Sequence, residues 1–218
     1  ADDQSIEDFL SSHFYNYDDF SDPDYNGGIV FDTLQNENAS KTPLSSQVSK
    51  QVISVKTADG NFIDHSLYYL IAREGTGIIP ATVDSTYLSY EGLLLNKTVF
   101  DSSSTPVWFD LTSVVRGFRE GAHKFKSGDF KVNEDNTVDF FGYGQGAIFF
   151  PSGLGYFSRT SGAVPAYAPL IFKINLYGVN QTDHDGDGIL SADEFDNDGD
   201  GVPDDTDEDG TPDYLDAD

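Results

Sequence analysis

Two groups of residues in this 218-residue chain have types and spacings suited to chemistry. The first is a carboxylate ladder near the C-terminal end. It runs Asp183-His-Asp-Gly-Asp-Gly-Ile-Leu-Ser-Ala-Asp-Glu, then Asp196-Asn-Asp-Gly-Asp-Gly, then Asp205-Thr-Asp-Glu-Asp-Gly. Asp recurs at alternate positions and Gly closes each run at the sixth. Carboxylates this crowded repel one another unless a divalent cation sits among them, and Ca²⁺ takes about six to eight oxygens. A charge run without such spacing reads instead as a solvated, disordered tail. The second group is aromatic. Tyr90, Phe100, Phe109 and Phe118, with Val114 and Val115, alternate with polar residues between positions 90 and 121, and Tyr156 and Phe172 lie in a second stretch. No nucleophile–base triad is recognisable, and His13, His65 and His123 have no metal-ligand spacing. Gathered on one surface, these side chains make a dry hollow, whose chemistry is binding and desolvation rather than proton transfer.

The elements that must position them read as follows. Ile6, Phe9, Leu10 and Phe14 give an apolar stripe at helical spacing after Ser5, a candidate N-cap. Asp22-Pro and Asn26-Gly-Gly break that pattern, and residues 28–34 suit a short strand. Strands are expected over 51–57, 67–73, 86–92, 99–102, 107–111, 147–150 and 170–177, with a turn at 58–61 and a break at Ser103-Ser-Thr-Pro. Residues 114–125 read as the one short helix of the core. Residues 129–147 read as an added hairpin turning at 133–136. Residues 152–169 form a long loop, and loops of that length in compact domains usually have a function. The expected class is α+β: an antiparallel sheet with a helix on one face.

The formal charge of −26 is unevenly placed: residues 1–40 hold ten acidic and no basic residues, 41–182 hold twelve of each sign, and 183–218 hold sixteen acidic and none basic. The balanced middle and acidic ends exclude nucleic-acid binding, which needs a basic face to displace counterions. Without Cys there is neither a disulfide framework nor thiol chemistry. The absence of Met points to a processed or engineered start, with any targeting segment out of view. No apolar run approaches the ~20 residues a membrane-spanning helix needs. Three segments are expected: an acidic N-terminal arm, 1–50, with one amphipathic helix; a central domain, 51–180; and an acidic repeat tail, 181–218.

Residues 66–179 resemble the FKBP-type peptidyl-prolyl cis-trans isomerases. The resemblance rests on Tyr90-Glu-Gly, Val99-Phe-Asp-Ser-Ser, Val114-Val-Arg-Gly-Phe, Glu120-Gly, Pro151 to Tyr156 and Leu170-Ile-Phe, in the family's order and near its spacing. It implies an antiparallel half-barrel sheet with one short helix, isomerisation of X-Pro bonds without a cofactor, proline-containing polypeptides as substrates and macrolides as inhibitors. It implies site roles for ten residues. Tyr90, Phe100, Phe109 and Phe172 form or support the pocket walls, and Phe118 is the floor, where most active members have Trp. Val114 and Val115 stand at the helix entry, the Val115 N–H holding a carbonyl. Asp101 is a polar edge residue, the Tyr156 hydroxyl donates to a bound carbonyl, and Val164 belongs to the flap. The sequence departs from the family's pattern at Phe118, at Phe157 (usually Gly), at Val107 (usually aromatic), in a shorter bulge before Pro106 and in the 129–147 insertion.

The tail is similar to EF-hand loops and, being tandem and overlapping, more so to thrombospondin type 3 calcium repeats. By that resemblance Asp183, Asp185, Asp187, Ile189, Ser191 and Glu194 are the ligands of a first loop, with Gly188 at its turn. Asp196, Asp198, Asp200, Val202, Asp204 and Asp207 serve a second, and Asp205, Asp207, Asp209, Thr211, Asp213 and Asp216 a third, Asp207 being shared. One to three structural Ca²⁺ ions are expected, with the tail ordered only when loaded, and His184, at a non-ligand position, is expected to be exposed. Low-affinity calcium modules suit extracellular concentrations. With the extended FKBP form, this implies export to the periplasm or surface of a Gram-negative bacterium, any membrane attachment being a lipid-bearing Cys upstream of Ala1. Three functions compete: an exported isomerase with a calcium-stiffened tail, a catalytically weak FKBP-fold binding or chaperone module, and a calcium-dependent surface spacer.

Overall fold

The computed structural model describes residues 2–57, 59–199 and 201–217. Helix α1 (Asp2–Ser12) and strands β1 (His13–Tyr15) and β2 (Phe31–Thr33) form the arm, with a short helix α2 (Tyr17–Phe20) between the strands. The sheet comprises β3 (Ser49–Lys56), β4 (Phe62–Arg73), β5 (Ser85–Leu94), β6 (Val99–Asp110), β9 (Gly144–Phe150) and β10 (Leu170–Asn180), wholly antiparallel in the order β3-β4-β9-β10-β5-β6. Helix α3 (Arg116–Ala122) crosses one face, and β7 (Asp129–Val132) pairs with β8 (Val138–Phe141) as a separate hairpin.

Strand residues alternate between two cores, as a period of two requires. Ile148, Phe150, Leu170, Phe172, Ile174 and Leu176 face α3, together with Phe118 and Phe125. Ala147, Phe149 and Ile171 face the other way and pack on Ile6, Phe9 and Leu10 of α1. The arm therefore covers the back of the sheet, and Asp2 accepts from the Ser152 N–H at 3.1 Å.

Several local expectations are corrected. Helix α1 starts at Asp2, with Asp2 and Asp3 in its first turn where the dipole favours anions, so Ser5 lies inside it and is no cap. Phe14 belongs to β1. Residues 103–106 do not end a strand: β6 runs on, and Ser104 to Pro106 bulge opposite the single residue Ser89, since Tyr90 pairs with Ser103 and Leu88 with Val107. The core helix is shorter than 114–125 because Val114 and Val115 are extended. The hairpin turn, by contrast, falls at Asn133–Asn136 as expected, with Asn136 N bonded to Asn133 O at 3.0 Å. Of the 58–61 turn, Ala58 lies outside the described residues.

Helix α3 reaches β9 through two glycines one turn apart. A Cβ on Gly117 would stand 2.3 Å from the Phe150 ring, and one on Gly121 would stand 2.4 Å from Ile148. Phe150 and Ile148 are fully buried and have nowhere to move. Gly117→Ala gains about 1 kcal/mol of helix propensity and incurs overpacking of about 1–3 kcal/mol. A net loss of stability is expected, read as a lower urea midpoint at unchanged slope.

Candidate active site and acidic tail

A cleft of about 240 Å³ opens between β5, β6 and the start of α3. Phe118 forms its base, 3% exposed. Its ring meets three others edge-on: Phe172 at 5.0 Å, Phe109 at 5.8 Å and Tyr90 at 6.4 Å. These are favourable aromatic geometries, and together they hold the base rigid. Eight of the ten residues singled out in the sequence line the cleft: Tyr90, Asp101, Phe109, Val114, Val115, Phe118, Tyr156 and Phe172. Phe100 and Val164 stand outside the lining. Phe100 packs edge-on behind Phe172 at 5.4 Å, and Val164 lies in the buried core, 2% exposed. Ser113 lines the cleft and was missed, because nothing in its sequence context separates it from an ordinary loop serine. Gly92 makes room for the wall: a Cβ there would lie 2.6 Å from Phe100 and 3.0 Å from Phe172.

The rim is polar on one side. The Tyr90 hydroxyl donates to Asp101 Oδ2 at 2.7 Å. Burial and then this carboxylate push the Tyr90 phenol up from 10.0 to about 12. A phenol raised in the folded state contributes stability that is full below pH 10 and lost as pH rises toward 12. In an ultraviolet titration, the tyrosinate signal removed by Tyr90→Phe should therefore fall near pH 12. Two donors in the lining are uncommitted: neither the Val115 N–H nor the Tyr156 hydroxyl has a hydrogen-bond partner among the described residues.

The tail repeats one backbone design three times. The N–H of Gly188, Gly201 and Gly210 donates to Asp183, Asp196 and Asp205 at 3.1, 2.9 and 3.0 Å. Each of these glycines has positive φ, which favours Gly. The second residue of each loop, His184, Asn197 or Thr206, donates its N–H to the ninth, Ser191, Asp204 or Asp213. The ninth residue in turn donates its N–H to the carbonyl just before the loop, at Thr182, Phe195 and Asp204. Asp183, Asp185 and Asp187 bring carboxylate oxygens within 4.8 Å of one another, as do Asp196, Asp198 and Asp204, and Asp205, Asp207 and Asp209. Asp200 lies outside the described residues. Asp185 Oδ2, Glu194 Oε2, Asp196 Oδ1 and Asp205 Oδ1 are sealed from solvent with no hydrogen-bond partner. Burial, then the charges of Asp185, Asp187, Asp183 and Asp213, raise the Glu194 pKa.

Far from hanging free, the tail sits against the helix beside the cleft. Phe195 is buried beneath the Arg119 guanidinium, 5.5 Å from its ring, and meets Tyr214 edge-on at 5.2 Å. Burying such a ring contributes about 1.5–3 kcal/mol. His184, expected to be exposed, is enclosed instead. Its Nδ1 lies 2.7 Å from Ser191 Oγ, and its Nε2 lies 3.2 Å from Asp110 Oδ2. The sequence signal for both was the aromatic or imidazole ring standing alone in a polar stretch.

Residues 78–177 match the family model for FKBP-type peptidyl-prolyl cis-trans isomerase. The matched stretch is 100 of the 218 residues, just under half of the chain. The chain is 29% identical over 160 residues to FKBP-type peptidyl-prolyl cis-trans isomerase FkpA of Aeromonas hydrophila, covering 72% of this chain and 51% of that protein. It is 30% identical over 148 residues to peptidyl-prolyl cis-trans isomerase Mip of Coxiella burnetii, with 66% and 56% covered. It is also 29% identical over 157 residues to Outer membrane protein MIP of Legionella longbeachae, with 69% and 58% covered. The chain spans about half the length of the curated relatives it matches. Within the matched residues, Phe157 has φ of +51°, the left-handed conformation that Gly adopts without strain. Its carbonyl accepts from the Tyr167 N–H at 2.7 Å, and the two rings meet edge-on at 5.4 Å. That pair fixes the loop after Tyr156 in place of a glycine's freedom.

Proposed function

We propose that the protein is a peptidyl-prolyl cis-trans isomerase acting on X-Pro bonds of exported proteins, with a tail that binds calcium. In this reading residues 51–180 do the chemistry, 1–50 cover the back of the sheet and 181–218 hold the ions.

The isomerase reading is carried by the aromatic cleft with two free donors on its wall. Amide resonance sets a barrier of ~18–20 kcal/mol to rotation about the peptide bond. That resonance puts charge on the carbonyl oxygen, where water stabilises it. A cleft walled by Tyr90, Phe109, Phe118 and Phe172 strips that water and accommodates the proline ring. The planar ground state loses more than the twisted imide does, which is differential binding of the transition state. The Val115 N–H and Tyr156 hydroxyl supply hydrogen bonds to the flanking carbonyls, and Asp101 orients Tyr90. No proton is transferred. A protease-coupled assay on a proline peptide is expected to show turnover above the spontaneous rate. Tyr156→Phe should lower kcat/KM about three- to tenfold, the worth of one hydrogen bond of about 0.5–1.5 kcal/mol. A spontaneous rate together with no macrolide binding would refute it. Macrolide binding with little turnover would favour the binding-module reading, which Phe118 in the place of the usual Trp supports.

Calcium is supported by the four sealed, unpartnered carboxylate oxygens. A buried carboxylate oxygen without a partner is costly, and here the four fall one or two to each acidic loop. A hard divalent cation supplies the missing partner for all of them. Asp183, Asp185, Asp187, Ile189, Ser191 and Glu194 would hold the first ion. Asp196, Asp198, Asp200, Val202, Asp204 and Asp207 would hold a second, and Asp205, Asp207, Asp209, Thr211, Asp213 and Asp216 a third, in the manner of thrombospondin type 3 repeats. The ions would supply structure only, leaving catalysis without a cofactor. Calorimetry with millimolar Ca²⁺ is expected to show saturable binding of one to three ions, and absence of heat would sink this part.

Location at the periplasm or surface of a Gram-negative bacterium is supported by the name of the Legionella longbeachae relative, Outer membrane protein MIP. Proline-containing polypeptides and macrolides are the proposed ligands, and any membrane contact would run through a lipid anchor upstream of Ala1.

A further inference from the structure

The acidic tail and the cleft share a wall. His184 is the second residue of the first acidic loop and carries no proposed ligand atom. Its Nδ1 is 2.7 Å from the hydroxyl of Ser191, the ninth residue of that loop and fully buried. Its Nε2 is 3.2 Å from Asp110 Oδ2. The other oxygen of Asp110 accepts from the Thr112 N–H at 2.8 Å and from its hydroxyl at 2.7 Å, capping the turn at Leu111–Ser113. The next residues out of that turn, Val114 and Val115, line the cleft, as does Ser113. One imidazole thus bridges the shell of the first loop to the segment that presents the Val115 N–H.

A second grip lies at the other end of the same loop. Phe195 directly follows Glu194, the twelfth residue, and is held beneath Arg119. Arg119 is the neighbour of Phe118, the base of the cleft. Both ends of the loop therefore hold residues 110–119, and both grips depend on the loop being closed.

We propose that His184 is a positioning residue that couples calcium occupancy of loop 183–194 to the isomerase cleft. This rests on the isomerase and calcium readings above. Without the cation, the sealed oxygens of Asp185 and Glu194 repel their neighbours, and the loop opens. Ser191 and Phe195 then withdraw, and Asp110 loses one of its two restraints. With the cation bound, residues 113–115 are held in place before substrate arrives, so less ordering accompanies binding. Coupling of this kind is reciprocal: a proline peptide in the cleft must tighten calcium by the factor by which calcium tightens the peptide.

The test uses the full chain. kcat/KM for a proline peptide is measured with saturating Ca²⁺ and after chelation, and Ca²⁺ affinity is measured by calorimetry with and without the peptide. The expected result is a loss of about fivefold in kcat/KM on chelation, mainly in KM, since a coupling of about 1 kcal/mol corresponds to this factor. The peptide should raise Ca²⁺ affinity by the factor by which Ca²⁺ lowers the peptide's own dissociation constant, measured by calorimetry. His184→Ala should still bind Ca²⁺, but its kcat/KM should sit near the chelated value and ignore chelation. His184→Gln, which keeps a polar side chain there, should recover part of the response and serves as the check if the alanine variant folds poorly. Calcium binding by calorimetry with kcat/KM indifferent to chelation would overturn the coupling and leave the calcium reading standing. Calcium heat absent altogether would remove the calcium reading, and the coupling with it. A His184→Ala variant as calcium-responsive as the parent would overturn the assignment of His184.

Discussion

Phe118→Ala should lose at least tenfold in kcat/KM for a proline peptide and about 3–5 kcal/mol of stability. The ring is buried and meets Tyr90, Phe109 and Phe172 edge-on, so its removal leaves a void where three ring contacts met. In the proposed isomerase, water entering that void would restore the solvation that favours the planar bond. Phe118→Trp and Phe118→Leu separate the two effects. Leucine keeps most of the volume, and should keep most of the stability while turnover falls. Tryptophan enlarges the base, and should raise turnover if Tyr90 and Phe172 can part to admit it. The measurement is the peptide assay beside urea unfolding of each variant. Unchanged kcat/KM in a stably folded alanine variant would show that chemistry does not occur over this ring.

Chelation should release hydrogen-exchange protection across 183–217 while leaving β9 and β10 protected. The tail has few apolar anchors besides Phe195 and Tyr214, and without a cation its clustered acidic side chains would repel one another. Each ion present at one hundred times its dissociation constant adds about 2.7 kcal/mol to the folded form. Burial of one phenylalanine is of similar size, so the ring alone cannot hold three loops of like charge. Asp185→Asn and Asp205→Asn should each lower calcium stoichiometry or affinity in its own loop. Tail protection that survives chelation would mean that side-chain docking, not the cation, orders the segment.

The strands that build the cleft were legible because alternation leaves a plain record. Tyr90, Phe109 and Phe172 fall on one face, whereas Lys173 and Asn175 fall on the other. The bulge was not legible as such. Ser103-Ser-Thr-Pro has the composition of a strand end, and only the pairing of Tyr90 with Ser103 and Leu88 with Val107 keeps β6 continuous. Ser5 looked like a cap because sequence cannot tell a helix start from a serine one turn inside, and the first turn is fixed instead by Asp2 and Asp3. Val114 and Val115 were placed at the helix entry correctly but counted within the helix, since apolar residues before an N-terminus share its periodicity. Phe100, expected to form or support the wall, packs behind Phe172, and Val164, expected in the flap, is buried outside the lining, distinctions made by tertiary contact alone. In the tail, spacing revealed the loops. What it hid was the seat of His184 and Phe195 on residues 110–119, because that contact joins segments about 75 residues apart.

The arrangement of α1 has a consequence for how the chain folds. Its apolar stripe precedes every strand of the six-stranded sheet in the chain, but its partners Phe149 and Ile171 lie on the last two strands of that sheet. Asp2 meets Ser152 across a sequence separation of 150 residues. Contacts this distant form late, because a large loop must close before they repay its entropy. The apolar face of α1 therefore stays uncovered until the last two strands of the sheet are in place.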